Sequence, residues 1–300
     1  MTEARKWKGR TGGSTLGQQG LIVFFKCLHL RAGYFILAAV VPFYLIFSHK
    51  NCRAIYRFFR KRLGATPRQS FIGTCKNHYR FGQIILDRFV IFARGKSPFE
   101  LEVIGGEYFD RLIRREKGFL IAGSHTGNFE IGGYLLHQEK KKIHALVYAG
   151  ETETVRKNRT KVLKNNHIDL VPVLDDMSHL FTVHAALQRG DVVSMPCDRN
   201  LGSSKCVTCR FLNGEADFPA GAFSLADTLG VEILALFVMK ESGRKYTVYV
   251  KPVQTKAPEA GCTRQERIAA SVRSFAGELE AVVRRYPEQW FNYYEFWKDK

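Results

Sequence analysis

The segment Phe119-Leu-Ile-Ala-Gly-Ser-His-Thr-Gly-Asn-Phe-Glu130 determines the fold that we expect of this chain. Its first four residues are apolar and lie between Gly118 and Gly123, which is typical of a short buried strand. A turn follows, and the residues from Phe129 onward have the pattern of a helix. A buried strand that passes through a turn into a helix is the building unit of α/β proteins.

The same alternation of apolar runs and helical patterns extends over most of the chain. We predict further strands at 101–104, 143–148, 168–173, 191–195, 231–239 and 246–250. Helices are expected at 69–94, 107–116, 129–137, 153–165, 176–189 with Asp176 as N-cap, 219–230 with Pro219 in its first turn, and after a capping box at 263–266. This order predicts an α/β fold with a mixed, largely parallel central sheet flanked by helices.

The N-terminal third combines strong basic charge with an apolar segment. The chain has a net charge of +18, and its first 100 residues, with 18 basic and 3 acidic side chains, carry +15 of it. The apolar run 32–47 is shorter than the roughly 20 residues of a spanning helix and has basic residues on both sides. That arrangement favours a helix lying in an anionic membrane surface, with a spanning helix and a buried core helix as the alternatives.

The next segment, 51–63, mixes arginines with aromatic residues. Its apolar residues Ile55, Phe58, Phe59 and Leu63 recur at helical spacing, so we interpret it as an amphipathic helix on a membrane surface. Nucleic-acid-binding surfaces share this composition, but no nucleic-acid-binding signature is present, and we expect no nucleic acid partner. We therefore predict two parts: a membrane-associating helical segment, 1–63, and an α/β domain, 64–300.

The turn after the central strand contains the strongest chemical signal. In open α/β sheets, ligand sites lie beyond the carboxyl ends of the strands. His125 lies in that turn, and Glu130 lies on the helix that follows. A carboxylate on one imidazole nitrogen fixes the tautomer and makes the other nitrogen more basic. The spacing allows Glu130 to reach His125, so the pair is a candidate general base; a capped helix with a merely structural histidine is the alternative.

The seven cysteines do not predict a metal site or disulfides. Cys206 and Cys209 have the C-x-x-C spacing, but no second pair or suitable histidines follow at the spacing of a structural zinc site. We expect reduced thiols, no metal and no cofactor.

His125-Thr-Gly-Asn-Phe-Glu130 resembles the H-x-x-x-x-E motif of the lysophospholipid acyltransferase superfamily. Asp198-Arg199, the block from Val207 to Gly221 and the C-terminal stretch 287–297 are similar to its bacterial lipid A biosynthesis branch. The stretch Asn292-Tyr-Tyr-Glu-Phe-Trp297 departs from the tryptophan-x-x-arginine-arginine type ending of lipid A enzymes. It resembles a sister group of predicted acyltransferases, whose acceptors include other lipids.

The resemblance implies a membrane-associated enzyme that moves a fatty acyl chain from a thioester donor to a hydroxyl of a lipid A-type or related lipid. It implies His125 and Glu130 as the catalytic pair, with Asn128, Arg159, Asp198 and Arg199 as substrate-binding residues. The resemblance also implies acyl carrier protein or acyl-CoA as the donor, and the cytoplasmic face of the inner membrane as the location. We expect backbone N–H groups of the turn 123–128, or one of the two arginines, to stabilise the oxyanion.

Two other functions remain open from the sequence. One is a serine-type lipid hydrolase with Ser124 as nucleophile, although histidine rather than serine occupies the centre of Gly123-Ser-His-Thr-Gly127. The other is a non-enzymatic basic protein that binds membranes or nucleic acid, which would leave His125 and Glu130 without a role.

Overall fold

A computed structural model describes residues 15–27, 29–47, 49–94, 97–135, 140–148, 160, 167–173, 178–200, 205–255 and 261–298 of the 300-residue chain. Seven strands form one central sheet, in the order β1 (Glu100–Ile104), β9 (Lys245–Pro252), β8 (Ile233–Lys240), β2 (Phe119–Gly123), β5 (Val192–Pro196), β3 (Ile143–Tyr148) and β4 (Ile168–Val173). All neighbouring pairs are parallel except β8 and β9, which are antiparallel. The structure therefore confirms an α/β fold with a mixed, largely parallel sheet.

Strands β6 (Cys206–Phe211) and β7 (Gly214–Pro219) form a separate antiparallel hairpin. The helices are α1 (Thr15–Cys27), α2 (Leu30–Phe47), α3 (His49–Arg57), α4 (Pro67–Arg94), α5 (Gly106–Ile113), α6 (Phe129–Leu135), α7 (His179–Gln188), α8 (Gly221–Leu229) and α9 (Arg264–Arg285). A π-helical turn, Phe58–Arg62, follows α3, and a 3₁₀ turn, Pro287–Gln289, follows α9.

Two local predictions differ from the structure, and one element was not predicted. Helix α7 has Ser178, not Asp176, at its N-cap, and Asp176 lies outside the described residues, as does the helix expected at 153–165. Pro219 ends β7 instead of opening a helix, because the missing N–H of proline is tolerated at the end of an edge strand. The hairpin itself was not expected: Leu212 and Asn213 both take positive φ, which makes the tight two-residue turn between its strands.

The sheet is buried between two layers of apolar side chains. In β2, Phe119 and Ile121 belong to one core cluster, whereas Leu120 and Ala122 belong to the other. This alternation follows from the two-residue period of a strand. Because β2 is buried on both faces, its sequence is an uninterrupted apolar run. All eight residues of β8 are buried as well.

The N-terminal helices divide between the surface and the core. Helix α2 is long and apolar enough to cross a membrane by length and composition, with 17% of it buried, and Phe35, Phe43 and Phe47 are 67–82% exposed. The segment 51–63 differs from our membrane-surface interpretation. Ile55 and Phe58 are buried in the same core cluster as Trp290, so its apolar face packs against protein. The packing of the α/β core therefore begins before residue 64.

Candidate active site

The register of two parallel strands brings His125 and Asp198 together. Strands β2 and β5 are neighbours, and Gly123 is paired with Pro196. His125 and Asp198 each lie two residues beyond that pair, so the chain positions them at equivalent places past the carboxyl ends of the strands. The His125 Nδ1 atom is 2.8 Å from Asp198 Oδ1, and the His125 backbone N–H donates to Asp198 Oδ2 at 2.9 Å.

The environment of Asp198 keeps its carboxylate ionised. The residue is 1% exposed, and this burial would raise its pKa. The contacts with His125 and the positive charge of Arg199 outweigh burial and hold the pKa of Asp198 below its usual value. An ionised carboxylate accepts a hydrogen bond from Nδ1–H, which leaves Nε2 as the basic nitrogen of a neutral ring. The His125 side chain is 30% exposed, and Nε2 has no partner among the described residues.

The backbone of the turn is held by its neighbours on two sides. Phe291 N–H donates to His125 C=O at 2.9 Å, Gly127 N–H donates to Gln289 C=O at 2.8 Å, and Asn128 N–H donates to Val238 C=O at 2.7 Å. Because the N–H groups of residues 125, 127 and 128 are engaged, these three are not available to an oxyanion, contrary to our expectation for them. The rigidity of the turn instead fixes the position of His125.

Glycine is required at position 127 for both conformation and space. Gly127 has φ +53°, and a Cβ atom there would lie 1.9 Å from the Val238 carbonyl oxygen. The left-handed backbone conformation is readily adopted by glycine, and the close approach to β8 excludes a side chain.

Glu130 has a different partner from the one that we predicted. Its carboxylate lies 2.7 Å from Arg88 Nη2 of α4, and both side chains are largely buried. Residue 130 is in the first turn of α6, beyond the turn that presents His125, and its side chain contacts α4 rather than the imidazole. The carboxylate that contacts His125 belongs to Asp198, so the expected His125–Glu130 contact is corrected to His125–Asp198.

The predicted substrate-binding residues fall into three groups. Asp198 contacts His125, and the next residue, Arg199, donates from Nη2 to Phe291 C=O at 2.7 Å while its guanidinium lies over the ring of Tyr294. Asn128 is 2% exposed, with Oδ1 accepting from Ile131 N–H and Nδ2 donating to Tyr246. It therefore caps α6 from within the protein. Arg159 lies outside the described residues.

Ser124 and the cysteines do not form alternative reactive centres in the described part of the chain. The buried Ser124 hydroxyl pairs with Thr126 Oγ1 at 2.7 Å, whereas an activated serine would pair with the histidine. Cys206 and Cys209 are three residues apart on β6, so their side chains face opposite sides of the strand. Among the described residues, no group of three His, Cys, Asp or Glu side chains could hold a metal ion.

Sequence reasoning did not identify three contributors to this site: Asp198 as the partner of His125, Arg88 as the partner of Glu130, and the segment 287–291 that pairs with the turn. Two signals pointed to Asp198: it follows the apolar run 191–195 as His125 follows 119–122, and parallel strands end at the same edge of a sheet. No local pattern pointed to Arg88, because its contact spans distant elements.

Comparison with known proteins relates this chain to a family of enzymes. The family described as "Bacterial lipid A biosynthesis acyltransferase" matches residues 72–299. Among solved structures, the 1-acyl-sn-glycerophosphate (LPA) acyltransferase PlsC from Thermotoga maritima is similar, with 14% sequence identity and a TM-score of 0.38. That match covers 90% of this chain and 97% of the other. A comparison with curated proteins finds no match.

Proposed function

The chain belongs to the bacterial lipid A biosynthesis acyltransferase family, and from that premise we propose that His125 is the general base of an O-acyl transfer to a lipid. The His125–Asp198 pair carries this proposal. It combines an ionised, buried carboxylate on Nδ1 with an Nε2 that has no partner among the described residues. This is the arrangement that proton removal from a hydroxyl requires.

In the proposed reaction, Nε2 of His125 takes the proton from the acceptor hydroxyl. The hydroxyl oxygen attacks the thioester carbonyl of a fatty acyl donor, either acyl carrier protein or acyl-CoA. The carbon–sulfur bond then breaks, and the thiolate leaving group takes the proton back from the imidazolium. Asp198 stabilises the imidazolium while it exists. No covalent enzyme intermediate is needed.

We assign the remaining polar groups supporting roles. The Arg199 guanidinium lies beside Asp198 and is suited to the negative charge of the tetrahedral intermediate or of an anionic substrate group. Glu130 with Arg88 anchors the start of α6 instead of contacting the imidazole. For Arg159, substrate binding remains a proposal from the sequence alone.

The acceptor is proposed to be a membrane lipid of the lipid A type or a related one. Helix α2 exposes a broad apolar face, which suits contact with lipid acyl chains. Basic residues surround this helix, so an anionic leaflet would attract it. We therefore propose attachment to the cytoplasmic face of the inner membrane.

His125→Ala tests the proposal. With the full-length protein, lipid acceptor and acyl donor, we expect acyl transfer to fall at least about 10²-fold, because general-base catalysis contributes about 10²–10⁴-fold. Product is measured by mass spectrometry, and the melting temperature checks folding. Ser124→Ala is the matched control and should retain activity. Retained activity in His125→Ala, or a loss confined to Ser124→Ala, would contradict the assignment and favour a serine hydrolase.

A further inference from the structure

A buried charge pair lies between the N-terminal helices and the sheet. Lys240 and Asp87 are both fully buried in their side chains, with Nζ 2.6 Å from Oδ2. The hydroxyls of Tyr34 and Tyr246 also donate to Asp87. Lys240 Nζ lies 4.6 Å from the ring centroid of Tyr246 and 5.4 Å from that of Tyr34. Two charges so far from water are costly unless every partner is in place, and the acyl-transfer chemistry uses none of these four groups.

The cluster joins four elements that are distant in the sequence. Tyr34 belongs to α2, Asp87 to α4, Lys240 to the end of β8 and Tyr246 to β9. Through the Tyr34 hydroxyl, the exposed apolar helix α2 contacts this buried cluster.

Lys240 connects the cluster to the active-site turn through Gln289. The Lys240 backbone N–H donates to Gln289 Oε1 at 2.9 Å, and Gln289 Nε2 donates to Lys240 C=O at 2.8 Å. The Gln289 carbonyl in turn accepts from Gly127 N–H at 2.8 Å. Hydrogen bonds through Gln289 thus connect the end of β8 to the turn that presents His125.

Two further contacts lead from the cluster to the same turn. Asn128 Nδ2 donates to the Tyr246 hydroxyl at 3.4 Å. Arg88, the residue after Asp87 on α4, forms the ion pair with Glu130. Two connections from the cluster, and one from the neighbouring residue Arg88, therefore converge on residues 127–130.

We propose that Tyr34, Asp87, Lys240 and Tyr246 form a positioning cluster. Through this cluster, the packing of α2 against α4 holds His125 in its reactive position. The inference rests on the proposed role of His125 as general base. A helix that exposes its apolar face to lipid is thereby also part of the active-site scaffold. If α2 separates from α4, the protein keeps its membrane contact, but the turn that presents His125 is no longer correctly placed.

Tyr34→Phe tests this inference with minimal damage, because it removes one hydroxyl and leaves Lys240 and Tyr246 on Asp87. Tyr79→Phe is the matched control: the Tyr79 hydroxyl donates to the Tyr34 carbonyl at 3.3 Å, so it joins the same two helices without touching Asp87. Full-length proteins are compared in vesicles for kcat, KM, vesicle binding and hydrogen–deuterium exchange of the amides at 125–128.

For Tyr34→Phe we expect kcat to fall about tenfold, since a ~1 Å misplacement of reacting groups costs up to 10²-fold. KM and vesicle binding should hardly change, and exchange at 125–128 should be faster. Tyr79→Phe should match the wild type in all four measurements. Equal effects of the two substitutions, or no effect of Tyr34→Phe on kcat and exchange, would overturn the inference. Hydrogen–deuterium exchange at 125–128 tests the positioning cluster even if His125→Ala stays active. The cluster and the general-base role of His125 can therefore fail separately.

Discussion

Replacing Asp198 with asparagine tests the central contact of the site. The carboxylate accepts two hydrogen bonds from His125, one from Nδ1–H and one from the backbone N–H. An asparagine side chain has a single acceptor oxygen, so either orientation of its amide places an N–H against one of these two donors. If that donor is Nδ1–H, the ring changes tautomer and Nε2 carries the proton, which prevents it from acting as a base.

We expect Asp198→Asn to lower kcat by about 10²–10⁴-fold, equivalent to about 3–5 kcal/mol of transition-state stabilisation. The unpaired donor at a residue that is 1% exposed should also cost about 1–3 kcal/mol of unfolding free energy. Because the pKa of Asp198 is held below its usual value, the wild-type carboxylate stays charged throughout the neutral range and does not itself limit activity there.

The assay compares kcat and thermal unfolding of Asp198→Asn with those of Glu130→Gln, the same carboxylate-to-amide change at a residue paired with Arg88. Glu130→Gln should lose stability and keep more of its kcat than Asp198→Asn does. The reasoning is refuted if Asp198→Asn stays within about threefold of the wild type while Glu130→Gln abolishes turnover, because Glu130 would then be the working partner of His125.

Two more outcomes follow from the geometry. Gly127→Ala should lower the unfolding free energy by about 1–3 kcal/mol or more, because it combines a left-handed conformation with a Cβ atom 1.9 Å from the Val238 oxygen. The control in thermal unfolding is Gly243→Ala, where a Cβ atom meets nothing within 4 Å. Equal melting temperatures of the two variants would contradict the steric argument. About 1 M salt, where charges are screened within about 3 Å, should fail to strip the full-length protein from membranes while detergent succeeds. Combining Phe43→Asp with Phe47→Asp should weaken that attachment, since both rings are exposed on α2; complete release of the wild type by salt would show that the attachment is electrostatic.

The sequence by itself determined the local elements and the class of fold. The strand over 119–122 and the helix opened by the Thr263 capping box could be predicted because their signals lie within a few residues of each other. A strand buried on both faces is predominantly apolar, and a helix start needs partners for its free N–H groups. The position of His125 just beyond a buried strand follows from the same local pattern.

Only the tertiary structure decided which distant residues meet. The partner of His125 is 73 residues away and is adjacent because β2 lies beside β5, an order that no local periodicity contains. The apolar face of 55–59 likewise has the same pattern whether lipid or protein covers it, and the fold covers it with Trp290. Hydrophobic burial is not directional, so a sequence shows that a face must be covered, while the packing of the whole chain selects what covers it.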